Sequence, residues 1–146
     1  MATTPTMDPG FAGMKADAGD DRVESYPVGV ADVGFGRVVS TSIDDVLVQG
    51  AGPSIRGISL HSHAIPGPVY KQFDCASVMT KGLVWARVTN AGAVTKDGPV
   101  KFGSDGTVSD GGLNLLANAM FRSAKVTTAG GDIAIVELHA PFSETT

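Results

Sequence analysis

From Tyr26 to Ala140 the chain is a succession of short apolar runs broken by Gly, Pro and Asp about every ten residues. That spacing leaves little room for helices and predicts an all-β sandwich or barrel. "GRVVSTSI" (36–43), "DVLVQG" (45–50) and "GDIAIVELHA" (131–140) read as strands. The last is apolar on both faces, so it is either central to a sandwich or covered by a partner. "SIRGISLHSH" (54–63) alternates, with Ile55, Gly57, Ser59 and His61 on one face and Arg56, Ile58, Leu60 and Ser62 on the other. "ASVMTKGLVWARVT" (76–89) is expected to be a hairpin turning at Lys81-Gly82, because Gly supplies the positive φ of a tight turn. In its second arm Leu83, Trp85 and Arg87 share a face, and Val84, Ala86 and Val88 take the other. A second hairpin is expected over 98–109 at Asp105-Gly106. "ANAMFRSAKV" (117–126) fits strand or helix, and "GGLNLLANAM" (111–120) is the sole helix candidate. Some eight or nine strands follow.

At 146 residues, with 42% hydrophobic and 18% charged residues, one self-sufficient domain is expected. Residues 1–24 differ: polar, small and Gly-rich, they read as an arm without regular structure, followed by one β-sandwich domain over 25–146. The arm is either a disordered terminus or a segment that orders against a partner. Phe11 and Met14, two isolated large apolar side chains, motivate the second reading.

The charge pattern argues against nucleic acid as a partner, since the net charge is -4 and no Lys/Arg cluster occurs. No apolar run is long enough to span a membrane as a helix, and no secretory signal pattern opens the chain, so a cytoplasmic setting is expected. Cys75, the single cysteine, cannot form an internal disulfide and is expected to be a small buried hydrophobe.

Chemistry-bearing motifs are sparse. His61 and His63 share a strand face and could hold a metal, but a third ligand such as His139 would have to come from a distant strand. "VGFGRVV" (33–39) lacks the third Gly and following helix of a dinucleotide fingerprint. "GAGPSIRG" (50–57) lacks the Lys-Ser/Thr of a phosphate loop. Asp44 and Asp45 are adjacent in a turn and poorly placed as an acid/base pair. No catalytic residue, metal or cofactor is expected.

Seven stretches in order resemble one family: "GFAGMKAD" (10–17), "YPVGVADV" (26–33), "RGISLHSH" (56–63), "VMTKGLVWARV" (78–88), "GAVTKDGPVKF" (92–102), "AMFRSAKV" (119–126) and "GDIAIVEL" (131–138). Together they are similar to the structural cement, or capsid decoration, proteins of tailed bacteriophages. The resemblance implies a non-enzymatic β-sandwich or jelly-roll-like small barrel with an extended N-terminal arm. It implies a place on the outer surface of the virion's head, reached by assembly in the host cytoplasm. The major capsid protein would be the partner, neighbouring subunits would be bridged, and the chain would form a homodimer or homotrimer. It makes Gly10, Phe11, Gly13, Met14, Asp17, Tyr26 and Trp85 the candidate contacts, Phe11 and Met14 as anchors, with Gly10 and Gly13 allowing close backbone approach. On that view, deleting residues 1–24 leaves the β domain folded and weakens capsid binding. The alternatives are a tail, fibre or receptor-binding module, and an enzyme built on the histidines.

Overall fold

A computed structural model describes residues 10–16, 21–62, 67 and 69–142. Twelve strands occur among them: β1 (Arg22–Pro27), β2 (Val33–Gly34), β3 (Val38–Thr41), β4 (Leu47–Gln49), β5 (Ser54–Ser59), β6 (Val69–Tyr70), β7 (Cys75–Arg87), β8 (Pro99–Phe102), β9 (Val108–Ser109), β10 (Asn114–Phe121), β11 (Val126–Thr128) and β12 (Gly131–His139). Three of these have two residues each, which is why the sequence pattern shows fewer.

Ten strands form one antiparallel sheet in the order β4-β3-β5-β7-β12-β10-β8-β9, with β1 also on β7 and β11 on β12; β2 and β6 form a small second sheet. The large sheet curls over its own core. Val88, just past β7, bridges Val108 of β9, and the Val38 amide donates to the Gly106 carbonyl at 2.8 Å. The fold is the expected all-β, sandwich-like one, and the barrel does not close.

The interior holds Val38, Ile55, Ile58, Met79, Val84, Ala86, Phe102, Phe121, Val136 and Leu138, drawn from both halves of the sheet. A second cluster, including Val28, Val39, Leu47, Tyr70 and Val78, fills the space beneath the 28–35 segment. A third gathers Ala12, Trp85 and Ile133 on the outer face of β7 and β12. Strand β12 is thus central, and its apolar residues on both faces are used within the chain.

The expected hairpin over 76–89 is one continuous strand, β7. Its neighbours explain why. Met79 lies between Val23 of β1 and Ile58 of β5, while Lys81 to Arg87 pair with β12. Turning at Lys81-Gly82 would forfeit all of these ladders. The glycine serves a bulge instead. Thr80 is skipped in the pairing with β1, Gly82 sits at φ 124, and the inward phase shifts from Met79 to Val84, Ala86 and Val88. A bulge needs the same backbone freedom as a turn, so the local signal is shared. Past the bulge, Trp85 faces away from Val84 and Ala86, as alternation requires.

A similar shift corrects β5. The pairing with β3 skips Arg56, so Ile55 and Ile58 both enter the main core rather than opposite faces. The 98–109 hairpin forms as expected, pairing Lys101 with Ser109 around Gly106 at φ 79. The helix candidate 111–120 is instead strand β10, held between β8 and β12. Gly111-Gly112 disfavours a helix start in any case, and Asn118 at φ 52 absorbs the register shift that brings both Leu116 and Phe121 inward. Cys75 is exposed, not buried. It begins β7 opposite Pro27, one residue before the inward-facing Ala76.

Candidate functional site

The N-terminal segment 10–16 lies along β7 as an added strand. The Gly13 amide donates to the Trp85 carbonyl at 2.8 Å, the Trp85 amide to the Met14 carbonyl at 2.9 Å, and the Ala16 amide to the Leu83 carbonyl at 2.9 Å. Both backbone groups of Trp85 therefore point to this segment, and β12 pairs on the opposite edge. The segment is fitted closely. A Cβ on Gly10 would lie 2.5 Å from Trp85 Nε1, and one on Gly13, at φ 86, would lie 2.5 Å from the His61 amide nitrogen. Ala12 is buried, Met14 packs beside it, and Trp85 is only 7% exposed. Gly10, Gly13, Met14 and Trp85 thus meet each other within one chain.

Phe11 points away from this contact and is 43% exposed. Its ring starts a row of edge-on aromatic contacts. Phe11 meets His61 with centroids 4.8 Å apart, His61 meets Phe35 at 4.6 Å, and Phe35 meets Tyr70 at 5.1 Å. Tyr70 is buried and its hydroxyl donates to the Leu60 carbonyl at 2.5 Å. The arm, the His61 loop and β6 are thereby tied into one surface. Asp17 and His63 lie outside the described residues.

The expected arm boundary at residue 24 falls inside β1. Truncation at residue 25 would remove half of that strand as well as the cover over Trp85, so it should destabilise the domain rather than leave it intact.

His61 is packed between two phenyl rings, and the His139 ring nitrogen meets Glu137. Among the described residues no group of three His, Cys, Asp or Glu is placed to hold a metal. Asp44 and Asp45 are exposed in the β3–β4 turn.

Tyr26, half-buried against the second cluster, donates its phenol hydrogen to the Glu24 carboxylate. Burial, then this carboxylate, pushes the phenol's pKa up; the same hydrogen bond, opposed by desolvation and helped by Arg22, holds Glu24 low. Glu137 is likewise held below the ordinary range near 4.5, first by Arg122 and then by His139. Both carboxylates have lowered folded pKa values. Their contribution to stability is complete above the unfolded value and is lost as pH falls through the folded ones. Urea midpoints should therefore fall as the pH is lowered through and below the ordinary glutamate value near 4.5, and Glu137→Gln should flatten that fall. An unchanged pH profile in the variant would show that Glu137 contributes nothing.

A further surface was not singled out by sequence reasoning. The loop after β1 lies beside the loop before β7 and along β4. The Val28 amide donates to the Asp74 carbonyl at 3.0 Å, the Gly29 amide to the Leu47 carbonyl at 3.1 Å, and the Phe73 amide to the Val28 carbonyl at 3.4 Å. Large apolar side chains stand exposed in three turns: Val30 at 84%, Ile43 at 88% and Phe73 at 89% exposure. The available signal was a bulky apolar residue within two positions of aspartate in a turn, in "VAD", "SIDD" and "QFD".

The family model for structural cement protein (E217 gp24/Pam3 gp6) matches residues 2–139. The chain belongs to this family of phage structural proteins. A solved chain from the capsid of Myoviridae phage XM1 shares the fold with a TM-score of 0.73 at 20% identity, over 94% of this chain and 95% of that one. The comparison with curated proteins finds no match.

Proposed function

We propose that this protein binds the outer surface of the assembled phage head and bridges neighbouring major capsid protein subunits, stabilising the shell without chemistry of its own. The observation that carries this reading is the cement-family match over nearly the whole chain, 2–139. The likeness in fold to a chain of the XM1 capsid agrees with it. So does the surface, where large apolar side chains stand exposed on loops held by a rigid sheet. Such side chains are suited to burial against a partner. A ligand that binds only the assembled lattice stabilises it by mass action, and many weak contacts on a closed shell add up. The arm residue Phe11, exposed beside His61, belongs to the contact surface in this reading; Gly10, Gly13, Met14 and Trp85 support it from beneath. Homo-oligomerisation is compatible with the same surfaces.

The test is the heat resistance of heads that lack this protein. Adding the purified chain should raise the temperature at which they release their DNA, and the effect should saturate. No shift at saturating protein would overturn the reading.

A further inference from the structure

We infer that Arg37 and Arg87 form a paired-guanidinium site that clamps one carboxylate side chain of a partner protein, entering beside Phe11. This deepens the cement reading and rests on it, since that reading makes the partner the major capsid protein.

The fold brings the two arginines together from distant parts of the chain. Arg87 ends β7, and its amide donates to the Gly36 carbonyl at 2.8 Å, directly before Arg37. Both side chains line the same two concavities. Glycines make room for them. A Cβ on Gly34 would lie 3.0 Å from Arg37 Nε, one on Gly106 would lie 3.0 Å from Arg37 Cβ, and one on Gly131 would collide with Arg87 Nη1. Long side chains already held by packing lose less freedom when a ligand arrives.

Their charge is poorly matched within the chain. Arg37 Nη1 donates to the Asp105 carbonyl at 3.1 Å and lies 4.0 Å from that residue's carboxylate. The carboxylate instead accepts from the Thr107 amide at 3.2 Å and hydroxyl at 2.6 Å. Arg87 Nη1 donates to the Gly130 carbonyl, while its acidic neighbour Asp132 pairs with Lys125 at 3.7 Å. Arg87 Nε is buried with no acceptor among the described residues. Burial, and then the charge of Arg37, push the pKa of Arg87 down. Two like charges are therefore held close without a carboxylate between them. A carboxylate received by both planar forks is the interaction this arrangement lacks.

The surroundings select the ligand and its side of entry. The concavity toward the N-terminal segment is lined by Phe11, Phe35, His61 and Val69, with no carboxylate among the described residues. The other concavity carries Asp105 and Asp132. An anion enters from the first side, its aliphatic stem against Phe11 and Phe35. The two aspartates behind the arginines and the net charge of -4 disfavour a polyanion, so the site suits a single negative charge. Phe11, 43% exposed, makes the site continuous with the contact surface described above. Arginines in such positions are frequent anchors of protein interfaces.

The double variant Arg37→Gln/Arg87→Gln should bind undecorated heads at least about tenfold more weakly in co-sedimentation, as expected for loss of an anchor. Its binding should also respond less to added salt than the parent's. Arg37→Lys/Arg87→Lys keeps both charges and both stems without the forks; it should recover the salt response but not the affinity. Parent-like binding by the glutamine variant would overturn the inference while leaving the cement reading intact. So would an equal loss in Lys96→Gln/Lys101→Gln, which removes two cations elsewhere and would reveal a general charge effect. Parent-strength binding by the lysine variant would overturn the fork-to-carboxylate clamp. Failure of the parent itself to bind would overturn both the site and the cement reading.

Discussion

Trp85→Ala should lower the unfolding free energy by about 3–5 kcal/mol, the range for deleting a buried large aromatic. The indole is 7% exposed and is the largest member of the cluster that joins β7, β12 and the N-terminal segment. Gly10 approaches its edge so closely that a Cβ there would lie 2.5 Å from Nε1, and the ring or the segment would have to shift. The substitution keeps the backbone hydrogen bonds between Trp85 and residues 13 and 14, because alanine carries the same amide and carbonyl. What it removes is the apolar platform under the segment. The segment should therefore become more accessible to protease even where the sheet remains folded. Urea unfolding at two protein concentrations checks this. A loss independent of concentration places the ring in the core of one chain. A loss that vanishes at low concentration and grows at high concentration would mean that the ring serves an oligomer contact instead.

Gly57→Ala should be comparably damaging, at or above the ~3 kcal/mol upper end of ordinary overpacking. A Cβ there would lie 2.1 Å from the Met79 carbonyl oxygen and 3.3 Å from Val78 Cγ1. The obstacle is main chain of the central strand β7, so no side chain can rotate away. Either β5 separates from β7 at Ile58–Met79 or the bulge at Arg56 is lost, and with it the inward direction of Ile55 or Ile58. Gly111→Ala is the matched control, with nothing within 4 Å of the added methyl. Its effect should fall within the few tenths of a kcal/mol usual for open surface sites. Equal urea midpoints for the two variants would refute the packing argument.

How far such features are legible in the sequence depends on whether local and long-range interactions agree. At Asp105-Gly106 they agree: the turn chemistry and the pairing of β8 with β9 want the same thing. At Lys81-Gly82 they do not. A glycine with positive φ suits a turn or a bulge equally, and what decides is the presence of β1, β5 and β12 along β7. Those partners lie far away in sequence. The bulge at Arg56 also explains the misplaced faces of β5, because one extra residue inverts the alternation beyond it. Trp85 was assigned to the correct face since no bulge intervenes between Leu83 and Val88. Its cover was not legible, because nothing in "GFAGMKAD" says whether it folds back on its own chain or onto another. Phe11 and Met14, alike as isolated apolar residues in sequence, part company in the structure: Met14 packs inward and Phe11 stands half in water.

The central claim, that the protein holds an assembled lattice together by spanning subunits, is tested most directly by comparing two binding partners. Purified chain is sedimented with undecorated heads of the virus that encodes it and, separately, assayed against the dissociated major capsid protein. Bridging predicts saturable binding to heads that exceeds binding to free subunits by on the order of a hundredfold, since simultaneous contacts multiply. Equal affinity for heads and free subunits would contradict bridging, and no binding to either would contradict the cement role itself.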